Sequence, residues 1–341
     1  SSISQLLKEN NPHEDILAIA GSLGEKENMP TYIVGGYVRD TLLGKSCKDI
    51  DIMVEGDGVA FAKKLARELK VNVTVDYDKF GTAMIPYPDV EIEVATARIE
   101  KYRSDSRKPE VTSSTIEEDM SRRDFTINAI AASLLPSSFG ELYDPFGGIK
   151  DLQKGLIITP LDPDETFSDD PLRMLRAVRF AAQLEYDVAS TILESISRNI
   201  NRLEIVSWER IRDEIIKSLT TNKPSIAFYL MKETGLLTHV FPEMDIMSGV
   251  ETINGMGHKD VFIHTLQVVD NAAKLSDKME IRFAALVHDI AKPPTKQFDP
   301  KKGWTFHGHD EIGRRMLKKV AKRMKLSNNL RDYLMLLTKL H

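Results

Sequence analysis

The strongest restriction on the architecture of this chain comes from residues 33–54, which place two glycines a fixed distance ahead of an Asp-x-Asp sequence. A buried strand is expected to end just before Gly35, and the pair Gly35-Gly36 lets the backbone turn sharply and approach a ligand closely. Asp49 and Asp51 alternate with isoleucines. On a strand, this alternation places both carboxylates on one face and the isoleucines on the other, which faces the core.

Two neighbouring carboxylates repel each other unless a cation lies between them, so this pair predicts a divalent metal site. A glycine turn nearby could hold a phosphate, and the simplest chemistry for the combination is nucleotidyl transfer assisted by Mg²⁺. The alternative is an ordinary turn followed by a surface strand, since Asp-x-Asp alone is common. The Val-Arg-Asp and Leu-Leu-Gly sequences between the glycines and the aspartates favour the metal site.

Residues 33–54 resemble the signature of the DNA polymerase β nucleotidyltransferase superfamily. More closely, they resemble the bacterial class II tRNA nucleotidyltransferase and poly(A) polymerase family. The resemblance implies an Mg²⁺ site at Asp49 and Asp51 that activates the RNA 3′-hydroxyl and bridges the incoming triphosphate. It also implies nucleotide-binding roles for Gly35, Gly36 and Arg39.

Length and composition place the chain among soluble globular proteins with two or three structural units. Its 341 residues exceed what one hydrophobic core usually supports, and 42% hydrophobic and 28% charged residues are ordinary proportions. No apolar run is long enough to span a membrane, and the first residues lack a signal-peptide pattern. The single cysteine, Cys47, excludes an internal disulfide and predicts a cytoplasmic protein.

Charge does not decide by itself whether the chain binds nucleic acid. The net charge of −5 is mildly negative, whereas residues 314–325 repeat Arg and Lys at helical spacing. That segment is either a solvated helix face or a patch that binds the RNA backbone, and both interpretations stay open.

The hydrophobic pattern changes character near residue 160. Before this point it predicts a small α/β unit, with helices over 11–28 and 58–69 and strands over 71–75 and 90–95. From residue 163 onward the pattern is helix after helix without a convincing strand. The chain begins without Met and stops inside a helical pattern, so we expect a piece cut from a longer protein.

The strand over residues 90–95 offers a third carboxylate. Glu93 falls on the face opposite Ile92 and Val94, where it either completes the metal site and orients the attacking hydroxyl or simply faces solvent. Residues 98–111 follow and are densely charged, which fits a flexible functional loop or a solvated linker.

Arg122 and Arg123 stand at the predicted start of a helix, followed by Asp124 and an apolar run. Such a pair could present guanidinium groups to a triphosphate, and the alternative is a surface pair of arginines. The sequence Arg-Arg-Asp-Phe-Thr-Ile-Asn-Ala is similar to the second signature of the resembled family. That resemblance implies that Arg123 holds phosphates and that Asp124 contacts the ribose.

A helix beginning near Asp170 carries the second half of the predicted site. Pro171 suits the first position of a helix, which makes Asp170 the N-cap. Arg173, Arg176 and Arg179 then lie on one face, spaced by three residues. The alternative is a capping aspartate followed by solvated arginines.

Asp170 and Arg173 together suggest how a base is selected. A carboxylate only accepts hydrogen bonds and an arginine only donates them. The pair complements adenine and cytosine, which present an exocyclic amine beside a ring-nitrogen acceptor, and leaves unpaired groups against uracil and guanine. The resembled family uses such an element as a protein template, here with Asp169 where Glu is usual, and implies further triphosphate contacts at Arg176 and Arg179.

Histidines in the C-terminal half form a second constellation. His288 and Asp289 are adjacent in a helical pattern, His264 lies one helix earlier, and His307 and His309 follow. The pattern resembles the HD metal-dependent phosphohydrolases, in which imidazoles and a carboxylate bind a divalent transition metal and activate water. Some members cleave cyclic phosphates and phosphomonoesters and others only retain the fold, so a metal at His264, His288 and Asp289 stays open.

The resemblance covers nearly the whole chain and predicts three parts. They are an α/β nucleotidyltransferase head with a mixed sheet at 1–158, an all-α neck at 159–223 that templates the nucleotide and binds RNA, and an HD-like helical body at 224–341 that we expect to be truncated at its C-terminus. The predicted activity is Mg²⁺-dependent addition of C, C and A from CTP and ATP to the tRNA 3′ end. Alternatives are A-only or C-only addition, poly(A) tailing, an HD phosphohydrolase on an inactive head, and a non-catalytic RNA-binding module.

Overall fold

The computed structural model describes residues 1–76, 81–101, 110–248, 252–253, 256–257, 260–306 and 308–340. The chain divides into two compact units, Ser1–Asp162 and Pro163–His341. The first is an α/β unit with a mixed sheet and the second is helical, which confirms the predicted fold class. A further division of the helical part at residue 223 stays a prediction.

The strands of the first unit lie mostly in one sheet. In its described residues they are β1 (Thr31–Val34), β2 (Asp49–Val54), β3 (Thr74–Asp76), β4 (Thr82–Tyr87), β5 (Val90–Thr96), β6 (Arg98–Lys101), β7 (Glu110–Ser113), β8 (Ala131–Ser133), β9 (Leu142–Tyr143) and β10 (Leu156–Ile157). The sheet has the order β3-β4-β5-β2-β1-β8-β9, with β2 and β5 parallel and the other neighbours antiparallel. The loop predicted over residues 98–111 lies partly in the β6–β7 hairpin and partly outside the described residues.

Helices lie on both faces of this sheet. Those of the first unit are α1 (Ser4–Lys8), α2 (Glu14–Lys26), α3 (Gly36–Leu42), α4 (Gly58–Leu69), α5 (Ile116–Ser121) and α6 (Gly148–Lys154). α4 covers one face, and α5 packs against the other face through Ile116 and Met120. Ile50 and Ile92 are 0% exposed on the face that α4 covers, and the backbone N–H of Gly58 at the start of α4 donates to the Thr96 hydroxyl on the same face. The helix predicted over 58–69 has the observed bounds, and the carboxylates of β2 lie on the face opposite α4.

The second unit is mainly helical. Its helices are α7 (Pro163–Asp169), α8 (Leu172–Leu184), α9 (Ser190–Asn199), α10 (Trp208–Leu219), α11 (Ser225–Thr234), α12 (Leu236–Val240), α13 (Pro242–Asp245), α14 (Val261–Leu275), α15 (Met279–Val287), α16 (Lys292–Thr295), α17 (His309–Arg323) and α18 (Asn328–Leu340). None of the helices in the described part of the chain combines the length and the apolar character that crossing a bilayer requires.

The expectation that no strand follows residue 163 is wrong. Short strands occur at β11 (Asp187–Val188), β12 (Thr252–Ile253), β13 (Met256–Gly257), β14 (Gln297–Asp299) and β15 (Gly303–Thr305). β14 and β15 form an antiparallel hairpin in which Phe298 is paired with Trp304, and their ring centroids are 5.3 Å apart. Cross-strand aromatic contacts stabilise hairpins too short to show a clear period in the sequence.

Candidate active site

The glycine turn at the start of α3 has the conformation that the sequence predicts. Gly35 has a φ of 69°, in a region that residues with a Cβ rarely occupy. A Cβ at Gly35 would lie 3.4 Å from Arg123 Nη1. The turn therefore brings the backbone close to the guanidinium of a second predicted nucleotide-binding residue.

Asp49, Asp51 and Glu93 share one face of the sheet. The parallel pairing of β2 with β5 places Asp51 opposite Glu93 and Asp49 opposite Glu91. Asp49 is exposed and Asp51 and Glu93 are half-buried, whereas the isoleucines between them are buried. The predicted alternation along the strand is confirmed, and the part of these carboxylates in metal binding stays a prediction.

A cavity of about 210 Å³ opens beside these carboxylates. Its lining includes two acidic side chains, Asp51 and Glu93, and three basic ones, Arg98, Arg122 and Arg123. Carboxylates are the ligands that Mg²⁺ prefers, and guanidinium groups bind phosphate oxygens through paired hydrogen bonds. One cavity therefore contains the side chains that a cation and its accompanying phosphates need, including Arg98, which the sequence did not single out as a contact.

A buried carboxylate, Asp119, orients the arginines of this cavity. It is 0% exposed and lies 3.1 Å from Arg122 Nη2 and 3.3 Å from Arg123 Nη2. The prediction that the arginine pair begins a helix is wrong, because Arg122 directly follows the C-terminal end of α5, where the helix dipole favours cations. The spacing of three and four residues between Asp119 and the arginines was the sequence signal for this role.

A buried hydrogen-bond network joins α3 to the segment after the arginine pair. Arg39 is 5% exposed, and its Nη1 donates to Asn128 Oδ1 at 2.7 Å. Asn128 Nδ2 donates in turn to Asp124 Oδ1 at 3.1 Å, and the same oxygen accepts from the Phe125 backbone N–H at 2.7 Å. Asn128, which sequence reasoning missed, therefore links two of the predicted nucleotide-binding residues.

Asp170 and Arg173 lie at the junction of α7 and α8. α8 begins one residue later than predicted, with Pro171 rather than Asp170 at the N-cap. The Asp170 side chain nevertheless contacts the start of the helix, because the Leu172 backbone N–H donates to Asp170 Oδ1 at 3.3 Å. Asp170 Oδ2 lies 3.3 Å from Arg210 Nη2, and Arg173 Nη1 donates to the Thr166 carbonyl at 3.2 Å. These contacts orient both side chains, as base selection by hydrogen bonding requires.

The other two arginines of α8 contact one acidic residue. Glu214 is 3% exposed and lies 2.5 Å from Arg179 Nε and 3.8 Å from Arg176 Nη1. Arg179 is itself buried, and its guanidinium lies 4.3 Å from the centre of the Phe180 ring. The structure thus separates a partly exposed Arg176 from a buried Arg179–Glu214 ion pair, and the predicted contact of Arg179 with a triphosphate stays a prediction.

His264, His288 and Asp289 come together in the second unit. Their ligand atoms lie within 4.8 Å of one another, which among the described residues distinguishes them as a group that could hold a metal ion. His288 Nε2 is 3.1 Å and His264 Nε2 is 3.7 Å from Asp289 Oδ2. His288 Nδ1 donates to the Ala285 carbonyl at 2.6 Å, which leaves Nε2 as the nitrogen that faces the carboxylate.

Asp289 has a pKa well below the ordinary value of a carboxyl group. Burial acts to raise this pKa, but the hydrogen bond and charge of His288, together with Lys292, lower it more. An ionised carboxylate beside two imidazoles is a ligand set that suits a divalent transition metal. Of the later histidines of the predicted constellation, His307 and the side chain of His309 lie outside the described residues.

Three family models match the chain in succession. A model described as the poly A polymerase head domain matches residues 31–158, and one described as a probable RNA and SrmB-binding site of polymerase A matches residues 185–247. An HD domain model matches residues 261–339. The cavity at Asp51 lies in the first of these regions, and the histidine–aspartate group lies in the third.

Relatives and solved structures match nearly the whole chain. The multifunctional CCA protein of Nitrosospira multiformis is 33% identical over 324 residues, which cover 92% of this chain and 73% of that protein. The structure of a CCA-adding enzyme with CTP has a TM-score of 0.70 and 30% identity, and the match covers 99% of this chain and 73% of that one. The structure of a CCA-adding enzyme with ATP also has a TM-score of 0.70 and 30% identity, and its match covers 98% of this chain and 71% of the other.

Proposed function

This chain belongs to the family of the CCA-adding nucleotidyltransferases, and we propose from that premise that it adds C, C and A to the 3′ end of tRNA. CTP and ATP are the nucleotide substrates, since the similar solved structures include complexes with each of them. The bond that forms joins the RNA 3′-oxygen to the α-phosphate, and pyrophosphate leaves. The observation that carries the proposal is the cavity in which Asp51 and Glu93 lie with three arginines.

In this proposal, Asp49, Asp51 and Glu93 hold Mg²⁺ at the head cavity. The residues fit the ion because they are oxygen donors on one face of two neighbouring strands. Bound Mg²⁺ supplies positive charge that acidifies the RNA 3′-hydroxyl and neutralises the triphosphate. The arginine pair oriented by Asp119 binds phosphate oxygens and stabilises the charge that develops as pyrophosphate leaves.

The ribose and triphosphate of the bound nucleotide approach the glycine turn. Gly35 allows close approach because its backbone carries no Cβ and lies beside the Arg123 guanidinium. Asp124 accepts a hydrogen bond from the ribose, and Arg39 adds positive charge from behind the turn through its bond to Asn128. In this proposal Arg176 of α8 also binds phosphate, and its 31% exposed side chain supports this role.

Asp170 and Arg173 select the base in this proposal. The carboxylate accepts from the exocyclic amine of adenine or cytosine, and the guanidinium donates to the neighbouring ring nitrogen. Their contacts with Arg210 and Thr166 support this role, because they restrict the orientation of both side chains. UTP and GTP present groups of the opposite kind, and each buried group left without a partner costs about 1–3 kcal/mol.

A second activity, hydrolysis of phosphate esters, is favoured by the histidine–aspartate group of the second unit. His264, His288 and Asp289 hold a divalent transition metal in this proposal, and the bound metal supplies an activated water. The hydrogen bond from His288 to the Ala285 carbonyl fixes the ring for this purpose. Because Cys47 is the single cysteine, we place both activities in the reducing cytoplasm.

One assay separates the candidate products. tRNA transcripts that end at the discriminator base, at C or at C-C are incubated with Mg²⁺ and with ATP and CTP, singly and together, and their 3′ ends are sequenced. The proposal predicts ordered addition of C, C and A that then stops. Long A tails or addition of one nucleotide type alone would replace it with a related transferase activity, and phosphate release from cyclic nucleotides without extension would replace it with the hydrolase.

A further inference from the structure

The C-terminal part of the chain contains an unusually basic segment. Residues 312–331 include eight Lys or Arg and no Asp or Glu, although the whole chain has more acidic than basic residues. The segment covers most of α17 and the start of α18. Such an excess of one charge in an acidic protein is typical of a surface that binds an anionic partner.

α17 has one apolar face and one basic face. The apolar face is buried through Leu317, Val320 and Ala321. The opposite face carries four exposed cations at successive helical positions, which we call the basic stripe and which consists of Arg315, Lys318, Lys319 and Lys322.

The basic stripe is poorly neutralised by the protein itself. Arg315 lies 3.7 Å from Glu311, a pair in which both side chains are largely exposed. Among the described residues, no carboxylate lies within ion-pair distance of Lys318, Lys319 or Lys322. The positive field of the stripe therefore extends into solvent.

The C-terminal end of α17 is fixed to the region that matches the RNA-binding model. Arg323 forms a bidentate ion pair with Glu243 at 2.7 Å for each oxygen, and its guanidinium lies 5.5 Å from the centre of the Trp208 ring. Lys325 Nζ lies 2.7 Å from Glu209. All three partners fall within residues 185–247, so the basic stripe continues from the RNA-binding region within one compact unit.

We propose that the basic stripe binds the phosphate backbone of the tRNA, away from the 3′ end that reacts. This inference rests on the proposed function, because tRNA is the substrate there. Lysines are point charges suited to phosphates and carry no base-specific fork, so the contact is independent of sequence. From Arg315 to Lys322 the helix rises about 10 Å, which matches about three phosphates of one strand.

The test compares two triple variants of the full chain. The first is Lys318→Glu, Lys319→Glu and Lys322→Glu. The control carries the same change of charge, Lys26→Glu, Lys63→Glu and Arg67→Glu, on exposed positions of α2 and α4. Affinity for a tRNA transcript is measured by fluorescence anisotropy over a series of salt concentrations, and thermal melting checks that both variants are folded.

We expect the stripe variant to bind tRNA at least about tenfold more weakly, with the slope of log affinity against log salt reduced by about two to three. The variant with Gln at the same three positions should show a smaller loss in the same direction. The KM for tRNA should rise while kcat at saturating tRNA and the KM for CTP stay unchanged. The proposal is overturned if the stripe variant and the control have the same affinity and the same salt slope.

The same measurements separate this inference from the proposed function. If the wild-type protein binds tRNA but does not extend it, and the stripe variant loses affinity, the RNA-binding surface stands and the activity assignment fails. If the wild-type protein extends tRNA and the stripe variant has unchanged affinity and unchanged KM, the activity stands and the surface assignment fails.

Discussion

At the scale of single residues, the predicted nucleotide-binding side chains of the head are oriented by further buried side chains. Asn128 receives a hydrogen bond from Arg39 and gives one to Asp124, and Asp119 orients the arginine pair. These residues are buried, so their amide and carboxyl groups are expected to be costly to remove.

Replacement of Asn128 by Ala should lower the free energy of unfolding by about 1–3 kcal/mol, because two buried polar partners lose a hydrogen bond. Urea denaturation measures this loss. Gln153→Ala removes an exposed amide from the same unit and should change the free energy by less than about 0.5 kcal/mol. An equal effect of the two substitutions would contradict the role given to Asn128.

Cys47 should be a poor nucleophile in the folded protein. Burial raises the pKa of its thiol to about 11, and the charges of Asp40 and Asp49 act in the same direction. Because the thiolate is the reactive form, alkylation by iodoacetamide at about pH 8 should be about a hundredfold slower than in the urea-unfolded chain. Mass spectrometry follows the reaction, and equal rates in the two states would disagree with this pKa.

At the scale of elements, α8 shows how one helix combines base selection with anchoring. Asp170 and Arg173 stand at its beginning, whereas Arg179 is buried against Glu214 one and a half turns later. Spacing in the sequence groups all three arginines on one face, and the structure distinguishes Arg179 by its burial against Glu214, which is 35 residues away. A buried ion pair loses most when one member is removed.

Glu214→Ala should therefore destabilise the second unit by about 3–5 kcal/mol, because it leaves the buried Arg179 without its carboxylate. The double variant Arg179→Met/Glu214→Leu should be more stable than the single one, since it buries no unpaired charge. Thermal denaturation compares both with Glu194→Ala at an exposed position of α9. A single variant as stable as the Glu194 control would show that the ion pair does not anchor α8.

The parts of the fold that follow from local sequence were predictable, and the parts that depend on distant partners were not. The alternation of Asp49 and Asp51 with isoleucines and the pattern over residues 58–69 predict β2 and α4 because period and burial are local properties. The bond between Arg39 and Asn128 spans 89 residues, and no periodicity points to it. The β14–β15 hairpin was missed because each strand has three residues.

At the scale of the whole molecule, the chain carries two sets of side chains that we propose bind metal ions. One lies on the head sheet of the first unit, and the other is the histidine–aspartate group of the second unit. Each set consists of ligands from its own unit. We therefore expect the two proposed activities to be lost independently by substitution.

His288→Ala should abolish binding of Mn²⁺ or Zn²⁺ by the second unit and leave extension of tRNA unchanged. The substitution removes one of three ligands. The lost imidazole is the one whose orientation is fixed by a backbone carbonyl. Metal content after equilibration and desalting is measured by mass spectrometry, beside phosphate release from cyclic nucleotides. Retention of the metal, or loss of extension in this variant, would show that the two sets are not independent.

If the head carboxylates support nucleotide addition, a substitution among them should slow single-turnover extension of a tRNA that ends in C-C. Asp51→Asn is compared with Glu91→Gln, a change in another carboxylate on the same face that does not line the cavity. We expect Asp51→Asn to slow addition of A by at least about a hundredfold with tRNA affinity unchanged, and Glu91→Gln to retain the wild-type rate. Addition of A by Asp51→Asn at the wild-type rate would show that Asp51 has no part in the reaction.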